Sequence, residues 1–294
     1  MIGNMIKKIA PDILIMKYWL PFFGPCLGTI AKIAKSNKKT KVTAICHKIL
    51  PHEKRPGDEV FTNYFFKYVD SFILLSQNVV NDLLRFVADP NYKVLPHPVY
   101  SKFGDRVEKN AAKEYLKIND EKVILFFGLI RDYKGLDTLL EAMAILKNKL
   151  NVKLIIAGEF YSNEEKYKNL ISKLDISNLV YLYNNFIPET EVKYFFSASD
   201  AVILPYRDAT QSGIVQVAMN FKKPAIAANV GGLGEVIQDC KTGFVVPKED
   251  PEQLASAILK FYSENKEQEF VSNIEYETGK YSWENFVKGI FELE

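Results

Sequence analysis

The sequence predicts an α/β fold made of two doubly wound, Rossmann-like domains. Short apolar runs alternate with longer amphipathic stretches along the whole chain. The apolar runs are continuous, as in strands that are buried on both faces of a parallel sheet. Repeated strand–helix units of this kind favour right-handed crossovers. A length of 294 residues also fits two domains of ~100–200 residues each.

The individual elements follow from these patterns in chain order. Four strands are predicted in the first part of the chain, at residues 12–16, 41–46, 71–75 and 92–95. Six more are predicted at residues 123–127, 152–157, 179–182, 201–204, 225–228 and 243–246, with helices at 135–150, 165–174, 189–197 and 251–262. A last helix spans residues 282–293, with Ser282 as its N-cap and Trp283, Phe286 and Ile290 on one face.

A polar stretch at residues 100–110 separates the two sets of strands. We therefore expect a first domain over residues 1–105, a second over residues 106–275 and a terminal helical segment over residues 276–294. Ligands of doubly wound folds bind beyond the carboxyl ends of the strands. The loops that follow the strands are therefore where we expect the chemistry.

Composition excludes several classes of protein. The chain has 38 Lys+Arg against 36 Asp+Glu, a net charge of +2, with 25% charged and 48% hydrophobic residues. Such values argue against a disordered chain and against a polycationic nucleic-acid binder, and we expect no nucleic-acid partner. The cysteines Cys26, Cys46 and Cys240 are far apart and match no zinc spacing. We expect a reducing, cytoplasmic location, no disulfides and no metal site.

The apolar stretch at residues 13–34 is not expected to span a membrane, because Lys17, Pro21 and Pro25 interrupt it. Lysines mixed with aromatic residues leave two interpretations of this region open. One is peripheral contact with an anionic surface, such as the inner face of the membrane; the other is a solvated helix face above core aromatics. The cluster comprises Lys7, Lys8, Lys17, Lys32, Lys35, Lys38, Lys39 and Lys41, with Tyr18, Trp19, Phe22 and Phe23.

Two loops have the features of anion sites. After the strand at 123–127 come Gly128, Arg131 and Lys134, and Gly135 then opens a helix. A glycine turn and two cations beside a helix start suit a diphosphate, although a solvated loop with ordinary surface charges fits these residues as well. After the strand at 201–204, Thr210, Gln211, Ser212 and Gly213 precede an apolar helix. This is a second anion cradle or ordinary helix capping. A third turn, NVGGLGEV at residues 229–236, contains Glu235; it suits either a ligand-adjacent turn or a tight connection.

Several strings in one order resemble the donor domain of the bacterial group-one glycosyltransferases: FFGLIRDYKGLDTLLEA, ATQSGIVQVAMNFKKPAIAANVGGLGEVI and TGFVVPKEDPEQLASAI. The likeness covers residues 120–294, and extends more loosely through PDILIMKYWLPFF and ICHKILPHE. The resemblance implies the GT-B arrangement of two facing Rossmann domains, the first on the acceptor side and the second binding a nucleotide sugar. YSWENF resembles the family's last helix, which crosses back onto the first domain.

The resemblance also implies roles for individual residues. Arg131 and Lys134 would bind the donor diphosphate, and Gln211, Ser212 and Gly213 would present a helix start to it. Asn185, Phe186 and Ile187 would lie along the base. His47 would lie near the transferred sugar; by itself, its place at a strand end leaves a structural and a catalytic role equally open. His52, Glu53 and His97 rank lower, with His97 in a rigid turn between two prolines. Gly128, Asp208, Gln216 and Glu235 complete the expected donor-binding set.

The sequence departs from the family in two places. The family has two glutamates eight positions apart, where alignment on Pro224 gives Ala209 and Val217; a shift of one residue gives Asp208 and Gln216. The family's opening strand and glycine-rich loop have no counterpart before Met1. We therefore expect an incomplete first domain with an unfilled sheet edge, in a chain that by itself self-associates or is inactive.

The resemblance implies a hexosyl-type glycosyltransferase of polysaccharide biosynthesis. It would move a sugar from a nucleoside diphosphate sugar to a glycan or lipid-linked acceptor with retention, and without a cofactor. The alternative is an inactive or companion-dependent donor-binding remnant or scaffold, favoured by both departures. A nucleotide-sugar epimerase of the same shape fits the ordered strings less well.

Overall fold

The computed structural model describes residues 2–50, 55–100, 102–119, 122–161, 163–209 and 212–293. The chain forms two compact units: Met1–Pro98 with Tyr281–Glu294, and Val99–Lys280. Each unit contains one parallel sheet, of four strands in the first and six in the second. The predicted α/β class with two Rossmann-like units is confirmed.

The first unit alternates helices and strands around a sheet of order β1-β2-β3-β4. Its elements are α1 (Ile2–Ile9), β1 (Ile13–Tyr18), α2 (Gly24–Lys35), β2 (Lys41–Cys46), α3 (Asp58–Phe66), β3 (Ser71–Leu74), α4 (Gln77–Leu83) and β4 (Tyr92–Val94). β1 lies at one edge of this sheet and runs two residues further than predicted, so that Tyr18 pairs with Cys46. One sheet face is covered by α2 and α3, where the Tyr18 ring stacks on Phe65 at 5.4 Å.

The second unit is a doubly wound domain with a clear switch in strand order. Its elements are α5 (Lys109–Tyr115), β5 (Lys122–Phe127), α6 (Leu136–Leu146), β6 (Val152–Ala157), α7 (Glu164–Lys173), β7 (Val180–Tyr183), α8 (Val192–Ala198), β8 (Ala201–Leu204), α9 (Gly213–Asn220), β9 (Ala225–Ala228), α10 (Leu233–Val236), β10 (Gly243–Val246), α11 (Pro251–Ser263) and α12 (Lys266–Thr278). The sheet order is β10-β9-β8-β5-β6-β7. β6 and β7 are added on one side of β5, and β8, β9 and β10 on its other side, so the strand order switches between β5 and β8. The crevice at such a switch point is the usual ligand site.

Asp200 fixes the amino ends of β5 and β8. One of its carboxylate oxygens accepts hydrogen bonds from the Val123 N–H and the Tyr262 hydroxyl, both at 2.8 Å. The other pairs with the Lys109 ammonium. This buried group holds the two central strands in register from the side opposite the switch-point loops.

The terminal helix α13 (Trp283–Phe291) packs on the sheet of the first unit. Ser282 caps it as predicted, since its side chain accepts a hydrogen bond from the Asn285 N–H at 3.1 Å. Phe286 and Ile290 are buried against Ile73 and Leu75. Trp283 is 54% exposed, so the predicted apolar face is smaller by this residue.

Most predicted strands are observed within one or two residues of their bounds. Two helices are shorter at one end. α6 stops at Leu146, where Lys149 and Leu150 N–H groups turn back to the Leu146 carbonyl, and the helix expected from residue 189 begins only at Val192. Within the described ranges, no helix combines the length and apolar character needed to cross a membrane. The three cysteines are free thiols.

Candidate functional site

The loops after β5 and β8 are joined into one structure. Gly135, which ends the first loop, has a φ of +66°, and a Cβ there would lie 2.0 Å from the Pro205 carbonyl oxygen. Only glycine allows this close approach without strain. The Arg207 N–H then donates to the Tyr133 carbonyl at 2.7 Å. The loops after β5 and β8, which were two separate candidate sites in the sequence analysis, therefore form one surface at the switch point of the sheet.

Arg207 braces this surface through three groups. Its Nη1 donates to the Asp132 carbonyl at 2.6 Å and its Nη2 to the Asp137 carboxylate at 2.9 Å. Its Nε donates to the Glu249 carboxylate at 2.9 Å. Charge-assisted bonds in a fixed fork hold both direction and distance. Sequence reasoning missed Arg207; its only local signal is a cation shortly after a strand end, and its partners are distant in sequence.

The side chain of Asp132 braces the same loop from another direction. Its Oδ1 accepts hydrogen bonds from the Lys166 ammonium at 3.2 Å and from the Tyr167 hydroxyl at 3.0 Å. These two bonds, with Lys166 first, lower the pKa of Asp132. The turn that carries Arg131 and Lys134 is thus held by its backbone and by its acidic side chain.

Lys134 is a buried cation. The residue is only 7% exposed, and its Nζ is 5.7 Å from the centroid of the Tyr206 ring. A Cβ on Gly128 would lie 3.2 Å from this Nζ. Burial, and then the Arg131 guanidinium, lower the pKa of Lys134 to about 8. No carboxylate of the described residues forms an ion pair with it.

Arg131 provides the second cation on the exposed side of the same turn. Its guanidinium carbon lies 4.1 Å from the centroid of the Tyr161 ring. Within the described part of the chain, Arg131 has no carboxylate partner. Stacking on an aromatic face orients a guanidinium while leaving its N–H donors available. Two cations without acidic partners, one buried and one exposed, are typical of an anion site.

The start of α9 adjoins these cations. The Ser212 hydroxyl caps the helix by accepting a hydrogen bond from the Ile214 N–H at 3.2 Å. The Ile214 side chain would lie 3.2 Å from a Cβ on Gly128, the same glycine that adjoins Lys134. Ser212 and Gly213 are therefore brought next to the turn that carries Arg131 and Lys134, called the cation turn below, as the anion interpretation requires. Thr210 and Gln211, predicted for this site, lie outside the described residues.

Gln216 occupies an unusual position inside α9. The residue is 4% exposed, and its Oε1 has no hydrogen-bond partner in the part of the chain that the structure describes. A buried amide oxygen without a donor is costly, and such groups often mark a site completed by a ligand. Ala209 and Val217, at the positions of the family's glutamates, are buried and apolar. Asp208 is exposed.

The remaining predicted donor-site residues lie further along the same edge. Asn185, Phe186 and Ile187 follow β7, and Phe186 is exposed. Glu235 lies in α10, after β9, and is exposed. β9 is the neighbour of β8, and β7 is the edge strand, separated from β5 by β6. All these strands are parallel, so the residues that follow them share the carboxyl edge of the sheet with the cation turn.

In the first unit, two histidines meet at the end of the sheet. His47 follows β2, and its backbone N–H donates a hydrogen bond to the Tyr18 carbonyl at 3.0 Å. The ring of His97 lies edge-on to that of His47, with centroids 5.4 Å apart. Burial first, then Lys17 and His97, lower the pKa of His47 to about 4. From the sequence, His97 was predicted to be a turn residue. Its contact with His47 arises because β2 and β4 belong to the same sheet. His52 and Glu53 lie outside the described residues.

Among the described residues, no group of three or more His, Cys, Asp or Glu side chains could hold a metal ion.

Comparison with known proteins places this geometry in a family. The profile of the glycosyl transferases group 1 matches residues 107–278, a range that contains the cation turn, α9 and α10. The chain belongs to this family. An uncharacterized glycosyltransferase of Methanocaldococcus jannaschii is 28% identical over 295 aligned positions, covering 98% of this chain and 76% of that protein. A second from the same organism is 29% identical over 174 positions, covering 58% of this chain and 44% of that protein.

Solved structures confirm the fold of the whole chain. Anabaena HepE in complex with UDP superposes with a TM-score of 0.79 at 18% identity, covering 99% of this chain and 80% of that one. At this identity the likeness concerns the fold alone. The two units are thus the two Rossmann-like domains of a GT-B glycosyltransferase, and the resemblance stated from the sequence is confirmed.

Proposed function

We propose that this chain transfers a sugar from a nucleoside diphosphate sugar to a hydroxyl group of a glycan or lipid-linked acceptor. The observation that carries the proposal is the pair Arg131 and Lys134, which have no carboxylate partner among the described residues and lie beside the start of α9. A diphosphate needs several donors around a compact double charge. The UDP in the HepE structure supports a nucleoside diphosphate as the ligand class.

The proposed chemistry is mainly electrostatic. As the bond between the anomeric carbon and the phosphate oxygen breaks, negative charge develops on the leaving diphosphate. The buried Lys134 ammonium and the Arg131 guanidinium stabilise that charge, and they do so strongly because water is largely excluded around Lys134. The acceptor oxygen forms the new bond to the anomeric carbon, and its proton passes to an oxygen of the departing diphosphate. This course retains the anomeric configuration and needs no protein base.

Other residues take supporting roles in this proposal. The absent side chain of Gly128 lets the ligand approach Lys134, and Gly213 presents the free N–H groups of α9. The orphaned Gln216 amide receives a ligand hydroxyl, in the place of a family glutamate. The further proposed contacts are Asn185, Phe186 and Ile187 to the base, and Asp208, Gln211, Ser212 and Glu235 to the donor, with His47 at the transferred hexose.

The alternative is a donor-binding remnant or scaffold without activity of its own. The observation that favours it is the burial of Ala209 and Val217 where the family places carboxylates. Such a chain would still bind the diphosphate through Arg131 and Lys134. Binding without turnover is therefore its signature.

Calorimetry with UDP, combined with a turnover assay on UDP-glucose and other UDP-hexoses, tests both. We expect Arg131→Ala and Lys134→Met each to weaken UDP binding roughly 10- to 100-fold, since a charge-assisted contact contributes about 1.5–3 kcal/mol. Lys147→Met is the matched control, because Lys147 pairs with Asp175 on the surface. UDP affinity that is unchanged in both variants overturns the site. Binding that depends on both residues, without turnover of any donor, favours the remnant.

A further inference from the structure

The loop that follows β6 is joined to the cation turn by a short piece of parallel pairing. Ile130, directly before Arg131, forms a β-bridge with Phe160. The Ile130 N–H donates to the Glu159 carbonyl at 2.8 Å, and the Tyr161 N–H donates to the Ile130 carbonyl at 3.0 Å. The backbone of the loop after β6 is therefore held in register with the backbone that carries Arg131.

This register decides which side chains become neighbours. In extended backbone, successive side chains point to opposite sides. Ile130 is fully buried, and Phe160 packs against the same core cluster. Arg131, which is extended, and Tyr161 come one residue later on the two segments, so both point away from the core and lie side by side. The result is the stack already described, with the guanidinium carbon 4.1 Å from the centroid of the Tyr161 ring.

The Tyr161 ring contributes little to the core. The residue is 66% exposed, and its hydroxyl forms no hydrogen bond with any residue that the structure describes. The packing at this loop is done by its neighbour Phe160, whose ring centroid lies 5.6 Å from that of Tyr167. Substitutions of exposed side chains usually change stability little. The contact with Arg131 is therefore the interaction through which Tyr161 can matter.

An exposed arginine gains more from such a contact than a paired one does. No described carboxylate holds Arg131 in place, and a free arginine side chain loses rotamer entropy when it binds a ligand. A ring on one face of the guanidinium restricts its rotamers before the ligand arrives. The N–H donors lie along the edge of the guanidinium, so they stay free for an anion. Ordering a donor in advance lowers the cost of binding.

We propose that Tyr161 is a positioning residue, which holds the Arg131 guanidinium ready for the diphosphate of the donor. This inference rests on the proposed function, in which Arg131 binds that diphosphate. Tyr161 acts through Arg131 and does not itself contact the ligand. Its aromatic face is required and its hydroxyl is not, so phenylalanine should replace it whereas an aliphatic side chain should not.

Calorimetry of the full chain with UDP tests this role. Tyr161→Ala and Tyr161→Leu should each weaken UDP binding roughly 3- to 10-fold, because both remove the aromatic face. Tyr161→Phe should bind as the parent chain does. Tyr276→Ala is the matched control, since Tyr276 is 79% exposed in α12, and it should leave the affinity unchanged. Urea denaturation should give the parent's midpoint for the Tyr161 variants, which excludes misfolding as the cause of weaker binding.

A double-mutant cycle shows whether Tyr161 acts through Arg131. In an Arg131→Ala chain, adding Tyr161→Ala should cause no further loss of UDP affinity. Two losses that simply add would overturn the proposal, because the ring would then contact the ligand independently. Tyr161→Phe binding as weakly as Tyr161→Ala would overturn it as well.

The same measurements separate this failure from failure of the proposed function. If the parent chain does not bind UDP, or if Arg131→Ala does not weaken binding, the donor site is wrong and the role of Tyr161 falls with it. If Arg131→Ala weakens UDP binding while Tyr161→Ala binds as the parent does, the donor site stands and only the positioning role is wrong.

Discussion

Replacing Lys134 by methionine should make the ligand-free chain more stable and its binding of UDP weaker. Methionine has a similar length and fills irregular apolar space, so the change removes the charge with little change in volume. The ammonium is buried beside Gly128 and the Tyr206 ring. In the ligand-free chain, no described carboxylate offsets the desolvation cost of the charged Lys134 ammonium.

The pKa of Lys134 gives the size and the sign of the effect. Burial lowers this pKa from 10.5 to about 8. The unfolded chain therefore binds the proton more tightly than the folded chain between these two values, and stability rises with pH across that window. Below pH 8 the full cost applies. The difference, 10.5 − 8, corresponds to about 3 kcal/mol at ~1.36 kcal/mol for each pH unit, an upper bound because a folded chain relaxes around the charge.

Urea denaturation at pH 7 and pH 10, followed by circular dichroism, measures the first half of this prediction. Lys134→Met should raise the free energy of unfolding by about 1–3 kcal/mol at pH 7, and the difference from the parent chain should shrink at pH 10. Calorimetry measures the second half, where UDP affinity should fall roughly 10- to 100-fold.

Lys223→Met is the matched control. Burial lowers the pKa of Lys223 to about 8 as well, but its ammonium donates to the Ser199 carbonyl at 2.7 Å. Removing that donor leaves the carbonyl unsatisfied, which offsets the relief of a buried charge. We expect little gain in stability and no change in UDP affinity. A Lys134→Met chain that is less stable than the parent at pH 7, with normal UDP affinity, would refute the reasoning, because Lys134 would then be structural.

Three further outcomes are expected. Arg207→Lys keeps the charge but not the three-way fork, so UDP affinity measured by calorimetry should fall by about 10-fold, the loss of one charge-assisted bond; unchanged affinity would contradict its bracing role. Gly135→Ala should lower the urea stability by at least about 1–3 kcal/mol, whereas Gly279→Ala, where a Cβ meets nothing within 4 Å, should not. Phe22, 74% exposed in the lysine-rich first unit, is expected to contact anionic vesicles, so Phe22→Ser should reduce salt-sensitive co-sedimentation while Tyr276→Ser, at a site 79% exposed, does not. Equal sedimentation of both variants with the parent would favour the solvated-surface interpretation.

The strands could be predicted because their apolar runs are continuous and local. β5 and β8 are buried along nearly their whole length, and continuous apolar runs of this kind can be recognised in the sequence without knowledge of the tertiary structure. α12 was not predicted. Its buried residues are Phe270, Ile274 and Glu277, too few apolar positions to form a helical stripe, and its place is fixed by packing on α11 and α9.

The site could be predicted only where its chemistry is contiguous in sequence. Gly128, Arg131 and Lys134 lie in one turn, so their types and spacing were legible. The role of Arg207 could not be predicted, because it depends on hydrogen bonds to Asp137 and Glu249, which are distant in sequence and meet Arg207 only in the folded chain. His97 was assigned to a turn for the same reason: β4 must be placed two strands from β2 before its contact with His47 exists.

The distribution of charge around the cation turn explains why it suits an anion rather than a metal or a second cation. Acidic side chains are present nearby, but they are engaged: Asp137 and Glu249 accept from Arg207, and Asp132 accepts from Lys166. Each of these bonds braces the turn and neutralises a cation that takes no part in the proposed site. Arg131 and Lys134 keep their charge uncompensated by any described carboxylate. Ala209 and Val217, at the positions where the family has two glutamates, act in the same direction, since neither supplies a carboxylate. We therefore expect these two positions to reduce turnover without weakening the binding of a diphosphate, and binding and turnover must be measured separately in this chain.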